Sequence, residues 1–535
     1  MKLSRNPVTN KVTLDSDVPL NLSYLYETIS RLAQDSNTEK VTVVAHSNGG
    51  LVIKYFLKIL EENNDPLLER IDNVILVAVP QEGTPESVIG SLHGVKLGVG
   101  GIVMGSEVSR KLLKDAPFGF HLLPTQQYFD SVITPVIQIE EGVYTNAWRT
   151  QFGENIDSYN KFRNFMVIES GRPNASSSDL LTPAILNSYA FTYKSQLAEK
   201  LANWEAPEGI RIYQVAGTGL DTPSGITYFT DIACVEESFF SCIHYERKLG
   251  YRITTVLDGD GTVVTPSALS MSESGEVERW WVNLEDYNKT EIDRLHRDIL
   301  EVEDVRNFVF AVAAPSSDST YNYLSNDSPE LGTGERLIFQ LHSPLDMYVI
   351  LSDGKVVGSS TELVRGAYYR RFGEVQYLSI PASETNYVVY LSGQSKGSFS
   401  LDVEKYTGNL LDERFTYSAV PSTASTKVEF SVTSTEAINS ETSLPVDYDG
   451  DGVVDVEVAI WPYGDILPVV PPAATTTPVV VEERRNSSSG TRVVFSTVLP
   501  APLVLGVTGI SGAVSYTHLR AHETKANLVC RLLLE

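Results

Sequence analysis

A serine flanked by small residues stands between a strand-like run and a helix-like run near the start of the chain. Val41–Ala45 is mostly apolar, residues 45–50 read AHSNGG, and Leu51–Leu60 is apolar enough for a buried helix. A tight turn of this kind lifts the Ser47 hydroxyl clear of a sheet and requires small residues two positions before and after it. It also points the Asn48 backbone N–H at the oxyanion of an acyl transfer. We predict Ser47 as a nucleophile, the alternative being an ordinary turn with a surface serine.

A serine nucleophile needs a histidine base and a carboxylate that orients it. When the serine stands on such a turn, the chain order is serine, acid, histidine. The base should follow the last strand of the sheet, and Glu276–Leu284 is the last strand-like run before the pattern changes. The histidines available after Ser47 are His93, His121, His244 and His296. We therefore predict His296 as the base; a histidine at a helix start beside Asp298 is the alternative.

The candidate acid lies in a glycine-containing loop. Residues 257–263 read LDGDGTV and follow the strand-like run Ile253–Leu257. Glycine on both sides of Asp260 gives the backbone the freedom to aim this carboxylate into a cleft. We predict Asp260 as the acid, although Asp-Gly pairs also occur in plain turns.

The elements that must position these residues alternate between strands and helices. Apolar residues at helical spacing predict an amphipathic helix over about 20–35: Leu22, Leu25, Ile29 and Leu32. Val41–Ala45 and Val74–Val79 are short apolar runs with the helix Leu51–Leu60 between them. Strand, helix and strand in this order predict a parallel sheet buried on both faces, and hence an α/β fold.

From about residue 315 to 462 the apolar period becomes two. Short, evenly spaced strands without helices predict an all-β antiparallel sandwich. The predicted strands are Leu337–Leu341, Met347–Leu351, Val375–Ile380, Tyr387–Leu391, Phe399–Val403, Val428–Val432 and Val456–Ile460. This pattern resembles modules appended to secreted bacterial hydrolases, which implies accessory binding or spacing.

The end of the chain has a different composition. Residues 463–513 are rich in Pro, Thr and Ser, which is typical of a linker or stalk. Residues 514–535 resemble a translated sequencing adapter, so we interpret them as a non-native tail; a genuine basic tail is the alternative. That interpretation sets aside His518, His522 and Cys530.

Six motifs in order resemble the lecithin:cholesterol acyltransferase-like lipases of the α/β-hydrolase superfamily. They are AHSNGG at 45–50, GTP at 83–85, APFGFHLLP at 116–124, AGTG at 216–219, GDGTV at 259–263 and HRDIL at 296–300. The resemblance covers about residues 20–312 and implies an α/β-hydrolase domain over 1–312. It implies Ser47 as nucleophile, Asp260 as acid and His296 as base. Asp260 is favoured over Asp258 because it takes the family's position ahead of Gly-Thr-Val.

The start of the chain departs from that family. The family core has several strands before the nucleophile, and one loop there supplies a second oxyanion N–H. Only 46 residues precede Ser47, so we expect the first strands and this loop to be absent, which would expose a strand edge. Losing one oxyanion donor costs about 10²–10³ in rate. We expect this chain to be weakly active or insoluble, and the full gene product to be an active hydrolase.

Two segments bear on substrate and compartment. Ser87–Val108 is an apolar, glycine-rich stretch within a cap predicted over about 86–130. A mobile apolar cap suits acyl chains and transient contact with a lipid surface, with a buried helix pair as the alternative. Cys234 and Cys242 predict a loop-closing disulfide in an exported protein, with two free thiols as the alternative. Three cysteines are too few for a cysteine-built metal cluster or a disulfide-dense scaffold.

Residues 447–455 read DYDGDGVVD, a loop of alternating carboxylates with a glycine for a sharp turn. Such oxygen ligands suit Ca²⁺, although Val458 stands where an EF-hand has its bidentate Glu. We predict a structural calcium ion on the four aspartates Asp447, Asp449, Asp451 and Asp455, the alternative being a solvated acidic turn. No cofactor is expected for catalysis.

The composition limits the function classes. The chain has 535 residues, 42% of them apolar and 21% charged, with a formal charge of −26. At roughly 150 residues per domain this allows three or four globular domains. The negative charge argues against nucleic acid as a partner, because duplex binding needs a cationic surface. No uninterrupted apolar run is long enough to span a membrane, and residues 498–514 come closest.

These observations predict a secreted or cell-surface serine hydrolase of lipid or other carboxylic esters, although no leader sequence opens the chain. Water or an alcohol as acyl acceptor would give a lipase or an acyltransferase. A surface adhesion or binding protein with an inactive α/β part is the alternative from another class. An amidase or thioesterase would share the same residues.

Overall fold

The computed structural model describes residues 3–5, 12–14, 21–94, 108–110, 120–132, 134–167, 171–173, 188–238, 241–290, 292–314, 320–342 and 344–461. The predicted linker 463–513, the tail 514–535 and residues 95–107 and 111–119 of the predicted cap lie outside these ranges. None of the helices in the described ranges is long and apolar enough to cross a membrane.

In the described residues, the strands of the first part of the chain are β1 (Leu3–Arg5), β2 (Val12–Leu14), β3 (Val41–His46), β4 (Ile71–Val77), β5 (Ile137–Ile139), β6 (Asn155–Ile156), β7 (Arg211–Thr218), β8 (Thr222–Ser238), β9 (Ser241–Val256), β10 (Val277–Asn283) and β11 (Leu324–Ser325). The α-helices are α1 (Asn21–Asp35), α2 (Asn48–Glu62), α3 (Pro85–His93), α4 (Gln126–Ser131), α5 (Asn146–Phe152), α6 (Tyr159–Met166), α7 (Ser188–Ala202), α8 (Thr265–Ala268), α9 (Leu284–Asn288) and α10 (Glu303–Ala313). Short 3₁₀ helices cover Leu68–Arg70 and His296–Glu301.

A mostly parallel sheet forms the centre of this α/β part. Within the described residues its strands lie in the order β11-β10-β7-β4-β3. The strands β10, β7, β4 and β3 are parallel, and β11 pairs antiparallel with β10. The predicted parallel sheet is confirmed. Strand β3, which leads into Ser47, is an edge of the described sheet.

Both faces of this sheet are covered by apolar side chains. On β4, Val74 and Leu76 enter the core beneath α1 and α2, whereas Ile75 and Val77 enter a larger core on the opposite face. All four side chains are fully buried. Residues 74–77 of this strand therefore form a continuous apolar run, because neither face of the sheet meets water there. The predicted helix near 20–35 is confirmed as α1.

A long hairpin of β8 and β9 extends from a second sheet with strand order β6-β5-β8-β9. Its strands have 17 and 16 residues, far more than the single short run at Ile253–Leu257 that the sequence indicated. The predicted disulfide joins Cys234 to Cys242 near the far end of this hairpin. The bond links the two facing strands directly.

Strands continue from residue 335 as β12 (Glu335–His342), β13 (Leu345–Ile350), β14 (Val356–Val357), β15 (Leu363–Val364), β16 (Ala367–Phe372), β17 (Val375–Pro381), β18 (Tyr387–Gly393), β19 (Gly397–Thr407), β20 (Leu410–Ser422), β21 (Lys427–Val432), β22 (Leu444–Asp447) and β23 (Val456–Val458). A 3₁₀ helix covers Thr435–Ala437.

These strands form two antiparallel sheets, as predicted. The inner sheet has the order β15-β16-β17-β12-β19-β20, and the outer sheet has the order β14-β13-β18-β21-β22-β23. On β12, Leu337, Phe339 and Leu341 face the core between the two sheets. Ile338 belongs instead to the large core that also contains Ile253 of β9. The inner sheet is therefore buried on both sides, between the outer sheet and the α/β part.

Candidate active site

The turn after β3 places Ser47 at the carboxyl end of the central sheet. Ser47 has φ 52° and ψ −133°, a backbone conformation that a residue with a side chain rarely adopts. Its N–H donates to the Val77 carbonyl of the neighbouring strand at 2.9 Å. The helix α2 begins at Asn48, and its Gly50 N–H donates to the Ser47 carbonyl oxygen at 2.9 Å, so the serine stands at the N-terminal end of that helix.

The tight packing at this turn occurs at Gly50 rather than Gly49. A Cβ at Gly50 would lie 2.1 Å from a methyl carbon of Val79, whereas a Cβ at Gly49 would meet nothing within 4 Å. The expectation that the position two after the serine must be small because strand and helix touch there is therefore wrong for Gly49. The close approach falls one residue later because Gly50 lies on the face of α2 that packs on the segment after β4.

The structure brings the three predicted catalytic side chains together. His296 Nε2 lies 2.8 Å from Ser47 Oγ, and His296 Nδ1 lies 2.8 Å from Asp260 Oδ2. These residues are separated by 249 and 36 positions in the chain. The imidazole thus stands between a hydroxyl and a carboxylate at hydrogen-bonding distance from both. This is the arrangement in which a histidine can remove a serine proton.

The loop Leu257–Val263, here called the acid loop, holds Asp260 firmly. The carboxyl group is 1% exposed, and its Oδ1 accepts the backbone N–H groups of Thr262 and Val263 at 3.0 and 2.8 Å. Gly261 has φ 91°, which a residue with a side chain would adopt only under strain. Asp258 bonds instead to Thr218 Oγ1 at 3.3 Å, so Asp260 is the carboxylate at the histidine.

Charged groups around His296 raise its pKa above the ordinary value. Burial acts in the opposite direction, since it disfavours the imidazolium, but the charge and the hydrogen bond of Asp260 outweigh it. Glu86 also raises this pKa, and Arg370 lowers it. Because a base must be unprotonated, an activity that depends on His296 should fall as the pH drops through this raised pKa.

The other predicted histidine candidates lie elsewhere. His93 is buried, stacks on Tyr251 at 3.7 Å between ring centroids, and bonds to the Tyr228 hydroxyl. His244 is exposed on β9, and His121 is half-buried beside Phe120 in a short helical turn. In the part of the chain that the structure describes, the imidazole at hydrogen-bonding distance from Ser47 Oγ is that of His296.

His46 is a site residue that the sequence analysis missed. Its Nε2 donates to the His296 carbonyl oxygen at 2.8 Å, and the two rings lie 5.0 Å apart. The rule that the base follows the serine in the chain removed His46 from consideration. Its place inside the AHSNGG motif was the available signal, since a residue there lies at the carboxyl end of the strand.

A buried polar cluster behind α2 was also missed. Lys54 is fully buried and donates to Gln81 Oε1 at 3.0 Å, and Gln81 Nε2 donates to Gln214 Oε1 at 2.7 Å. Burial lowers the pKa of Lys54 to about 7, although Glu82 acts in the opposite direction. Burial raises the pKa of Glu82 to about 7. Lys54 lies between apolar residues of a helical run, so its position on the buried face was the only signal.

The acidic loop at the end of the outer sheet brings three of its four predicted ligands together. Carboxylate oxygens of Asp447, Asp449 and Asp455 lie within 4.8 Å of one another. Asp451 lies outside this group, and its Oδ1 accepts the Val453 N–H at 2.8 Å. The prediction that all four aspartates converge is therefore wrong for Asp451. All four carboxylates accept backbone N–H groups of the loop, so these bonds do not set Asp451 apart. Three carboxylates form an oxygen donor set that fits Ca²⁺.

Comparison with known families agrees with this geometry. The profile of the lecithin:cholesterol acyltransferase family matches residues 19–294, just over half of the chain. The chain belongs to this family. Every strand of the central sheet except β11, and both Ser47 and Asp260, fall inside the matched range, whereas His296 lies two residues beyond it.

Two curated relatives are plant members of the family. Phospholipase A(1) LCAT3 of Arabidopsis thaliana is 25% identical over 249 residues, which are 44% of this chain and 51% of the relative. Lecithin-cholesterol acyltransferase-like 4 of Arabidopsis thaliana is 24% identical over 262 residues, 46% of this chain and 46% of the relative. This chain thus spans about half the length of the curated relatives it matches.

Among solved structures, the lipase BlEst2 of Bacillus licheniformis in its propeptide form is 9% identical, with a TM-score of 0.24, over 77% of this chain and 85% of that one. A score this low supports no argument about this protein. The family assignment therefore depends on the sequence match and on the sheet described above.

Proposed function

We propose that this protein is a serine hydrolase of carboxylic esters, a lipase or phospholipase or an O-acyltransferase, that forms an acyl-enzyme on Ser47. The observation that carries the proposal is the pair of 2.8 Å contacts linking Ser47, His296 and Asp260. The strained backbone of Ser47 supports it. The family match supports it independently, since the curated relatives are named as a phospholipase and an acyltransferase.

In the proposed first step, His296 Nε2 accepts the Ser47 hydroxyl proton while Oγ attacks the ester carbonyl carbon. The oxyanion of the tetrahedral intermediate would face the Asn48 N–H at the start of α2. The bond to the alcohol then breaks, and the alcohol oxygen takes the proton from His296. Asp260 keeps the imidazole oriented and stabilises the imidazolium.

In the second step, His296 accepts a proton from water or from a second alcohol, whose oxygen attacks the acyl group on Ser47. Collapse of this intermediate releases the acid or the new ester, and Ser47 regains its proton from His296. Water gives hydrolysis and an alcohol gives acyl transfer. The same residues serve both outcomes, so the acceptor is decided by which molecule reaches the acyl-enzyme.

The test is covalent labelling with a fluorophosphonate, combined with turnover of a soluble short-chain ester. The label should map to Ser47, and Ser47→Ala should lose the label and nearly all of the turnover. Asp260→Asn should reduce turnover about 10⁴-fold, because the imidazole loses its orienting partner. Asp258→Asn is the matched control in the same loop and should retain most of the activity.

Two results would contradict the proposal. One is a chain that unfolds cooperatively, and so is folded, yet takes no label at Ser47; this would favour the binding-protein alternative. The other is equal loss of activity in Asp258→Asn and Asp260→Asn. Matched ester, thioester and anilide substrates with one acyl group separate the related chemistries, since faster turnover of the anilide or the thioester would indicate an amidase or a thioesterase.

We also propose a lipid substrate, with the segment 86–130 acting as an apolar cap over it. The support is the apolar content of Ser87–Val108 and the family match. A cap that opens at a lipid surface would present acyl-binding surface to the aggregate. The disulfide Cys234–Cys242 is consistent with a secreted or cell-surface location, because such bonds persist in oxidising compartments.

We further propose a structural calcium ion at Asp447, Asp449 and Asp455. These three carboxylates supply the hard oxygen ligands that calcium takes. The ion would stabilise the loop between β22 and β23 and would have no part in the ester chemistry.

A further inference from the structure

Two parts of the inner sheet reach the acid loop. Asn409, in the turn between β19 and β20, accepts the Leu257 N–H at 2.8 Å, and strand β16 contacts the residues that follow Asp260. Side chains alternate across this strand: Tyr368 and Phe372 enter the large core shared with the α/β part, whereas Ala367 and Tyr369 enter the core between the two sheets. Arg370 lies between Tyr368 and Phe372 and so points to the α/β part. This places a cation of the sandwich beside the candidate active site.

Two side chains of β16 bind the backbone that follows Asp260. The Tyr368 hydroxyl donates to the Gly261 carbonyl oxygen at 3.2 Å, and Arg370 Nη1 donates to the same oxygen at 3.0 Å. Arg370 Nη1 also lies 3.2 Å from Thr262 Oγ1. From the other side, the Gly261 N–H donates to Thr222 Oγ1 at 2.8 Å. The peptide groups next to the catalytic carboxylate are thus held from both parts of the molecule.

The second half of the Arg370 guanidinium reaches the start of the predicted cap. Arg370 Nη2 pairs with Glu86 Oε1, and Glu86 is in the first turn of α3. The Thr84 hydroxyl, at the N-cap of the same helix, donates to the Thr262 carbonyl oxygen at 2.7 Å. The acid loop, the first turn of α3 and β16 are therefore tied to one another around one arginine.

We propose that the β-sandwich supplies a positioning residue to the active site: Arg370 fixes the acid loop through Gly261 and couples it to Glu86 at the base of the cap. The inference rests on the proposed function and deepens it. The sandwich is then required for the geometry of the reaction, in addition to any accessory binding that its strand pattern implies.

Charge gives this role a signature that packing alone does not have. The charged and titratable groups around His296 come from the acid loop, α3, β16, the end of β3 and the histidine's own 3₁₀ helix: Asp260, Glu86, Arg370, His46, Arg297 and Asp298. Glu86 raises the pKa of His296 and Arg370 lowers it. The acid limb of the pH–activity profile is the range in which activity falls as His296 becomes protonated. Removing the charge of Glu86 and removing that of Arg370 should therefore move this limb in opposite directions.

The experiment measures kcat/KM for a soluble ester against pH, together with the rate of fluorophosphonate labelling. In Arg370→Met the acid limb should move to higher pH, and kcat/KM at the optimum should fall about 10–100-fold because the acid loop is no longer held. In Glu86→Gln the limb should move to lower pH. Arg370→Lys keeps the charge without the fork, so its limb should stay near that of the wild type while kcat/KM falls.

Arg371→Met is the matched control. Arg371 is the next residue on β16, and its guanidinium pairs with Asp346 at 2.8 Å on the side away from the acid loop. Its removal takes away an arginine and an ion pair from the same strand, so it measures the general cost to the sandwich. The acid limb should not move in this variant.

Opposite shifts in Glu86→Gln and Arg370→Met, absent in Arg371→Met, support the inference. It is overturned if neither limb moves, or if Arg371→Met reproduces the loss of kcat/KM. Glu86→Gln keeps the inference testable if Arg370→Met does not fold. Folded wild-type protein that takes no label at Ser47 would instead contradict the proposed function. If the wild type is labelled but the acid limbs of Glu86→Gln and Arg370→Met stay in place, only this inference is contradicted.

Discussion

The two faces of the inner sheet are both buried, but they carry different kinds of side chain. Toward the outer sheet, alternate residues such as Phe339, Leu341 and Leu401 are apolar and fully buried. Toward the α/β part, the alternating residues include charged and amide side chains that are almost as buried: Arg336, Gln340, Asp402 and Glu404. Each of these polar residues has a partner across the interface or within the sheet.

The polar face specifies one arrangement of the two parts. The Gln340 amide accepts from the Ile253 N–H at 2.8 Å and donates to the Ile253 carbonyl at 3.0 Å, so a side chain takes the place of a neighbouring strand at β9. Arg336 pairs with Asp221 at 2.9 Å across the same interface. A sheet that slid along the hairpin would leave these groups buried and unpaired, which is costly. Contacts between apolar side chains on the other face are not directional, so they do not specify the position of the outer sheet in the same way.

The largest expected effect comes from the ion pair of Arg252 and Asp402. Arg252 Nε lies 2.7 Å from Asp402 Oδ2, and the two side chains are 6% and 1% exposed. Asp402→Asn leaves a buried cation with a weaker partner and should lower the free energy of unfolding by about 3–5 kcal/mol at pH 7. Urea unfolding measures this, and a loss below 1 kcal/mol would contradict the importance given to the polar face.

The adjacent residue gives the matched control for the apolar face. Leu401→Ala should cost about 2–5 kcal/mol through the lost burial and the cavity. Burial raises the pKa of Asp402, but Arg252 and the other surrounding positive groups outweigh it, so the folded-state pKa lies below the unfolded one. The stabilisation from Asp402 is therefore full above the unfolded pKa and is lost as the pH falls through the folded one. The cost of Asp402→Asn should shrink in acid, whereas that of Leu401→Ala should stay constant.

The same contrast explains how much the sequence could predict. The turn at Ser47 is encoded locally, because an apolar strand, a small-residue turn and an apolar helix follow one another within 20 residues. Strands such as Leu337–Leu341 were found within two or three residues of their ends, since period two is also a local signal. The partners Asp260 and His296 needed motif order as well, because they meet Ser47 only through the tertiary fold.

Burial of the polar face could not be predicted. Ser400 and Asp402 alternate with Phe399, Leu401 and Val403, which is the pattern of a strand with one face in water. The identity of their partners depends on the β8–β9 hairpin, which the sequence showed only as a short run and a pair of cysteines. The residue type alone does not show whether an amide or an arginine is buried or solvated. Only the structure, in which the sandwich packs on the α/β part, distinguishes the two cases.

Lys54 is a buried cation with a neutral partner, and it can be compared with Arg252, whose partner is charged. Lys54 bonds to the Gln81 amide, whereas Arg252 bonds to a carboxylate. Burial lowers the pKa of Lys54 to about 7, below that of an unfolded lysine, so unfolding takes up protons above pH 7. Relative to Lys54→Met, the wild-type free energy of unfolding should rise with pH, by up to about 1.4 kcal/mol per pH unit between pH 7 and 10.

Lys58→Met is the control for this measurement. Lys58 is one turn further along α2 and pairs with Glu62 at the surface. Urea unfolding at several pH values should show no change of slope in this variant. A Lys54→Met protein whose stability runs parallel to the wild type from pH 7 to 10 would show that Lys54 keeps an ordinary pKa.

The smallest expected effect lies at the loop between β22 and β23, where the carboxylates of Asp447, Asp449 and Asp455 lie together. This loop also contacts the α/β part, since the Tyr448 hydroxyl donates to Glu237 Oε1 of the hairpin at 2.8 Å.

Calcium at ten times its dissociation constant should stabilise the protein by about 1.4 kcal/mol, seen as a rise in Tm. Asp447→Asn should abolish the rise, and Asp451→Asn should preserve it, because Asp451 lies outside the three-carboxylate group. No rise in the wild type, or a rise that persists in both variants, would show that the loop is a solvated acidic turn.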